Sequence, residues 1–147
     1  MGRDETIEYL TEGEALRLAA TVPVGRVVYS RYAMPAVHLV NFRLDGRDVV
    51  FRTRKGAKLA AAVADTVVAF EVDRIDEEAR TGWTVTLTGR SKVVTRPEEI
   101  ARLSWLDVDP WVPDREYYVV IHTGRITGRR IAPHDLYGHD ADFDHPG

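Results

Sequence analysis

The chain has 147 residues, no cysteine and a formal net charge of −3, from 20 Lys and Arg against 23 Asp and Glu. This length makes one domain that buries roughly 68–70% of its unfolded surface, so a core forms without staples, and the missing thiols exclude disulfides, thiolate metal sites and cysteine nucleophiles. The acidic balance speaks against nucleic acid as a partner, because a phosphate backbone needs a surplus of Lys and Arg on one face. In chain order, Thr11-Glu12-Gly13-Glu14 has the form of a capping box and predicts a helix from about Glu12 to Ala20. Pro23 blocks its continuation, and Gly25 to Ser30 begins the first strand.

From Pro35 to Leu44 the residues Ala36, His38, Val40, Phe42 and Leu44 alternate with Val37, Leu39, Asn41 and Arg43, which predicts a long strand with one largely apolar face. Asp45-Gly46 supplies a hairpin turn, and the partner strand Arg47 to Thr53 runs into a basic junction. There Arg52, Arg54, Lys55 and Lys58 surround Gly56, and an alanine-rich helix follows from Ala57 to about Ala64. Glycine lets backbone approach a ligand, the amides opening a helix carry partial positive charge, and the side chains add full charges, so the junction is suited to a phosphate. A solvated basic turn is the alternative. Neither G-x-x-x-x-G-K-[ST] nor G-x-G-x-x-G is present, so a nucleoside triphosphatase or dinucleotide fold is not indicated.

A further strand is expected over Val67 to Asp73, a charged loop over Arg74 to Gly82, and the clearest alternation in the chain over Trp83 to Val94. Thr95-Arg96-Pro97-Glu98 is a second capping-box signal, opening a helix from about Arg96 to Leu103. After an irregular loop from Asp107 to Arg115, Tyr117 to Thr123 and Arg125 to Ile131 read as a final hairpin turning at Thr123-Gly124. The expected fold is mainly β, a six- to seven-stranded antiparallel split β-barrel with about three short helices, in a single domain over residues 1–133. Residues 134–147 read as a poorly ordered tail. Its His134, His139 and His145 have metal-ligand chemistry but no strand or helix to fix geometry, so no metal site is expected. His38 and His122 read as packed histidines, with axial haem ligation as the alternative. The charged amino end, Met1 to Glu5, and the shortness of every apolar run predict neither signal peptide nor membrane partner, and a cytoplasmic location.

The order and spacing of Pro35–Phe42, Val50–Leu59, Val68–Asp73, Thr81–Arg90 and Ile126–Ile131 resemble the flavin-binding split-barrel proteins related to pyridoxamine 5′-phosphate oxidase, especially the small bacterial members. The resemblance runs from about Val24 to Ile131. It implies a homodimer with two flavin mononucleotide (FMN) sites at the subunit interface. Arg52 and Thr53 would sit beside the flavin phosphate, Lys58 would reach it from the helix start, and Val40, Asn41 and Phe42 would run alongside the isoalloxazine ring. The partner chain would contribute from the strand beginning at Trp83 and from Arg129 and Arg130.

The residues themselves leave some of these roles open. Asn41 is either a ring contact or a strand-edge amide bonded to backbone, and Trp83 is either cofactor wall or core. The expected function is an FMN-binding oxidoreductase acting on a small molecule, with no residue needed as acid or base catalyst. The full pyridoxamine-phosphate oxidase reaction is not expected, because the longer carboxyl-terminal region that completes that substrate site is missing. The same barrel hosts other cofactors, so a deazaflavin-dependent reductase and a non-catalytic flavin or haem carrier stand as alternatives.

Overall fold

A computed structural model of the chain describes residues 7–54, 58–108 and 115–133. Its strands are β1 (Glu8–Tyr9), β2 (Val24–Arg31), β3 (Met34–Asp45), β4 (Asp48–Arg54), β5 (Thr66–Asp76), β6 (Thr81–Val94) and β7 (Arg115–Ile131). The helices are α1 (Glu12–Ala19), α2 (Lys58–Val63) and α3 (Pro97–Leu103), the last followed by a 3-10 turn, Ser104–Leu106. All pairings are antiparallel, in the order β1-β7-β4-β3-β2-β5-β6, and a ladder from β6 back to β7 closes the ring. Closure leaves few open edges.

Local chemistry explains most of these boundaries. The capping box of α1 forms as expected: Glu14 N–H donates to Thr11 Oγ1 at 3.2 Å, and Thr11 N–H donates to Glu14 Oε1 at 3.0 Å. The one expected at Thr95 does not form. Arg96 is the N-cap of α3 without a side-chain cap, and its guanidinium pairs with Glu98 at 2.9 Å, so Glu98 is bonded to a side chain instead of the N-cap amide.

Two expectations about strands are corrected. Arg74 to Gly82 is largely strand, because β5 and β6 extend their ladder to Asp76↔Thr81 and only four residues turn. Charge there marks solvent exposure, not loss of pairing. The final hairpin is instead one 17-residue strand, β7. Its partners are β4 on one edge and β6 on the other, and the register shift between Thr88 and Gly89 leaves Gly124 as the extra residue of a bulge. A side chain at Gly89 would collide with the carbonyl of His122, so glycine is required where the bulge brings the strands together.

The barrel interior is filled by Phe42, Phe51, Phe70, Leu87 and Ile121 together with Ala15 and Ala19 of α1 and Leu59 and Val63 of α2. Phe42 and Phe70 meet edge to face at 4.9 Å. A second cluster lies on the other side of the sheet, where Leu103 of α3 and Val108 cover Val50, Val94, Tyr118 and Val120. The rest of the outer surface, running from β3 across β2, β5 and β6 to β7, has no covering layer among the described residues. One of its cross-strand rows is Leu39, Arg26, Glu71, Thr86 and Thr127, and another is Val37, Val28, Ala69, Thr88 and Arg125.

Candidate functional site

The site begins where two strands part. β3 and β4 pair only from Phe42↔Phe51 to Asp45↔Asp48. Beyond Phe42, β3 continues toward its hairpin with β2, while β4 runs on beside β7 to Arg54↔Arg115. The Phe42 N–H donates to Pro23 O at 3.1 Å, toward the β2 side. Strand alternation therefore turns the main-chain groups of Leu39 and Asn41 the other way, into the gap, where no strand among the described residues pairs with them. The gap holds a cavity of about 190 Å³.

Val40 and Asn41 line this cavity from β3, and Arg52 and Thr53 line it from β4. Arg52 faces Tyr118 across the β4–β7 ladder with its guanidinium 5.0 Å from the ring centre, a contact that holds the charged plane in one orientation. Thr53 is buried. Lys58 is exposed at the start of α2, whose next residue, Leu59, reaches the cavity. Lys55, Gly56 and Ala57 lie outside the described residues. Phe42 is placed differently from its neighbours: its side chain is 1% exposed and packs into the core, because β3 is still paired with β4 at that position.

The other expected residues stand elsewhere in the chain. Trp83 is buried and, with Arg130, borders a separate cavity of about 480 Å³; Arg130 Nε donates to Glu8 Oε2 at 3.1 Å. Arg129, the next residue along the strand, points to the opposite face, where with Tyr9, Thr84 and Thr127 it lines a shallow hollow. One chain thus brings together Val40, Asn41, Arg52 and Thr53, and leaves Trp83, Arg129 and Arg130 apart from them.

His38 was missed as a groove residue by sequence reasoning. It occupies an inward register position opposite the fully buried Val27, yet it is exposed and lines the cavity, because the strands have already separated there. His122 serves the scaffold: its Nδ1 lies 3.2 Å from Asp48 Oδ2, while Asp48 Oδ1 accepts from Thr123 N–H. Among the described residues no group of three His, Cys, Asp or Glu is placed to hold a metal, and the His-rich tail lies outside them. Among the same residues no helix is long and apolar enough to cross a membrane.

A sequence profile described as Pyridoxamine 5′-phosphate oxidase matches residues 11–134. The chain belongs to the pyridoxamine 5′-phosphate oxidase family. Within it, an uncharacterized protein of Mycobacterium tuberculosis is 44% identical over 134 residues, which cover 86% of each chain. The structure of the FAD binding protein from Mycobacterium smegmatis matches with a TM-score of 0.75 at 29% identity, covering 84% of this chain and 98% of that one. A conserved protein of unknown function from Corynebacterium diphtheriae matches with a TM-score of 0.73 at 33% identity, covering 86% and 98%. The split-barrel architecture of the pyridoxamine 5′-phosphate oxidase family is thus the one this chain adopts.

This family member also carries an acid pair on its uncovered outer face. Arg26 bridges Glu71 at 3.0 Å and Asp73 at 3.3 Å, and Thr84 Oγ1 donates to Glu71 Oε2 at 3.1 Å. Burial raises the Glu71 pKa, and the neighbouring Asp73 raises it further against the opposing pull of Thr84 and Arg26.

Proposed function

We propose that this protein binds a flavin in the gap between β3 and β4 and acts as an oxidoreductase on a small molecule. The observation that carries the reading is the parting of those strands, which sets Arg52 and Thr53 opposite an unpaired strand edge. The donor set fits the group. A guanidinium and a hydroxyl suit phosphate oxygens, and the alternating N–H and C=O groups of Leu39 and Asn41 suit the donors and acceptors on the rim of an isoalloxazine ring. The named cofactor of the Mycobacterium smegmatis relative supports a flavin as the class. FMN contains every part these residues address.

When bound, the flavin supplies the hydride or electron chemistry. The chain's own residues do the rest. Arg52, oriented by Tyr118, and Thr53 hold the phosphate, with Lys58 adding charge from α2. Val40 and Leu39 give the ring an apolar margin that limits water, and Asn41 offers its amide to the polar edge.

A cavity of about 190 Å³ is small beside the roughly 300–1,000 Å³ of complete ligand sites, so another surface must wall the ring. The reading supplies it with a second copy. Val28, Val37 and Leu39 are exposed together on the uncovered face, an apolar patch of the kind that marks association. Leu39 and Asn41 belong both to that face and to the cavity, and Arg129 stands at its far end. With the two-fold axis along the strands, packing of this face against itself would lay the Arg129 end of one protomer over the Asn41 end of the other.

An absorbance spectrum of the purified protein, followed by titration with FMN, tests the cofactor. Flavin bands or quenched flavin fluorescence support it, and a colourless protein that quenches no flavin overturns it. Leu39→Lys tests the dimer by light scattering: it is expected to yield a monomer with weakened flavin binding, and an unchanged dimer removes this face as the contact.

A further inference from the structure

His38 and His122 are the two histidines among the described residues, and they are held differently. His122 is anchored to Asp48 at 3.2 Å. His38 is exposed, lines the groove cavity and makes no hydrogen bond or ion pair with any described residue, so its imidazole is open to whatever enters.

Register fixes the end of the groove at which it stands. From the last pair, Phe42↔Phe51, β4 runs on through Thr53 toward α2, and antiparallel β3 runs back through Val40 to His38 in the same direction. Val40 is level with Thr53, and His38 is the next residue on that face of β3, about 7 Å further along. One phosphate with a hydrogen bond of about 2.8 Å at each end spans such a gap. Past His38, the β2–β3 hairpin is tied to α2, where Arg31 Nη1 donates to the carbonyl of Lys58 at 3.3 Å. Leu59, the next residue of α2, lines the same cavity. His38 thus stands at the α2 end, on the far side of Thr53 from Asn41.

The charged groups around this end are Arg52 from β4, Lys58 from α2 and Arg31 from the end of β2. β2 presents Val27 opposite His38 and Val24 to the cavity. Glu71 and Asp73, which Arg26 bridges, belong to the outer face, and no carboxylate lines the cavity among the described residues. An anion that lies beside an imidazole favours its protonated form.

We propose that His38 is a phosphate ligand of the groove and makes flavin binding proton-linked. The imidazole takes a proton from solvent as the phosphate enters, so affinity rises as pH falls through the range, about 8 to 5, in which imidazoles ordinarily gain charge. No bond of the flavin changes. The proposal rests on the flavin reading above and adds to it the regulation of that site.

The experiment is a fluorescence titration of the full, flavin-free protein with FMN, and with riboflavin, which lacks the phosphate, at about pH 8 and about pH 6. His38→Gln keeps a polar side chain that cannot charge, and an exposed position tolerates it. The FMN phosphate itself titrates near pH 6, so the quantity read is the ratio of wild-type to His38→Gln affinity, from which that titration cancels. For FMN this ratio is expected to rise about fivefold or more from the higher pH to the lower, and for riboflavin to stay unchanged. His38→Arg, charged at both values, is expected to bind FMN more tightly than His38→Gln at each. A ratio for FMN that does not move with pH, one that moves equally for riboflavin, or an Arg variant no tighter than the Gln variant overturns the proposal and leaves the flavin reading standing. Binding of neither flavin by the wild type overturns both.

Discussion

Arg52 and Tyr118 face each other across the β4–β7 ladder, with the guanidinium carbon 5.0 Å from the ring centre. Tyr118 is itself packed in the cluster beneath α3. The helix α3 cluster therefore steadies the ring against which the Arg52 guanidinium lies at the edge of the groove.

That relationship separates binding from orienting. On the proposed flavin reading, Arg52→Ala removes charge-assisted bonds worth roughly 1.5–3 kcal/mol, so flavin affinity is expected to fall by about tenfold or more, and further with Lys58→Ala. Tyr118→Leu removes the stacking contact, about 0.5–2 kcal/mol, together with some packing in the cluster beneath α3, and is expected to weaken binding less while lowering stability. Fluorescence titration of the three proteins checks this order; unchanged affinity in Arg52→Ala removes the residue from the site.

Phe42 belongs to the core, and its substitution is expected to behave accordingly. Phe42→Ala empties the contact with Phe70 and costs about 3–5 kcal/mol, a large share of the stability of a domain this size. Phe42→Leu costs less and leaves flavin affinity of the folded protein unchanged. Thermal melts and titrations of the two variants check this, and a loss of affinity without a loss of stability would return Phe42 to the site.

Ser91 is fully buried, and its hydroxyl has no hydrogen-bond partner among the described residues. Leaving a polar group dry and unpaired costs about 1–3 kcal/mol, so Ser91→Ala is expected to raise stability. For a domain of this length each kcal/mol is worth about 2–4 °C in Tm. Differential scanning calorimetry reads the shift, and a lower Tm contradicts the account.

Glu71 gives the stability a pH signature. Burial and Asp73 raise its folded pKa above the ordinary 4.5, so the folded state holds this proton more tightly than the unfolded chain does. Its contribution is complete below about 4.5 and is lost as pH rises through the higher folded value. Glu71→Gln carries no such loss, so its Tm is expected to gain on the wild type as pH rises above 4.5. Parallel Tm curves for the two proteins across that range would show that Glu71 does not titrate in this way.

Much of the fold was legible from local chemistry. The Thr11–Glu14 capping box, the Asp45-Gly46 turn and the alternation over Trp83 to Val94 each specify a structure within a few residues, so reading them needs no partner. Gly124 misled for the opposite reason. A glycine that turns a chain and a glycine that absorbs a bulge look alike until the facing strand is known, and here β6 decides. Charge misled similarly at Arg74 to Asp76, where an exposed ladder carries the residues of a loop.

Sequence alone determined that Arg52 and Thr53 end a strand beside a basic turn, that even positions of β3 face inward, and that no thiol chemistry is available. Tertiary structure decided which of those positions meet. Val40 and Asn41 came to the groove while Phe42, next in line, went to the core, because the β3–β4 ladder stops between them. The same separation exposed His38, and the hairpin carried Arg31 to Lys58 from 27 residues away. Side-chain periodicity is a property of one strand, whereas a groove exists only where two strands cease to pair.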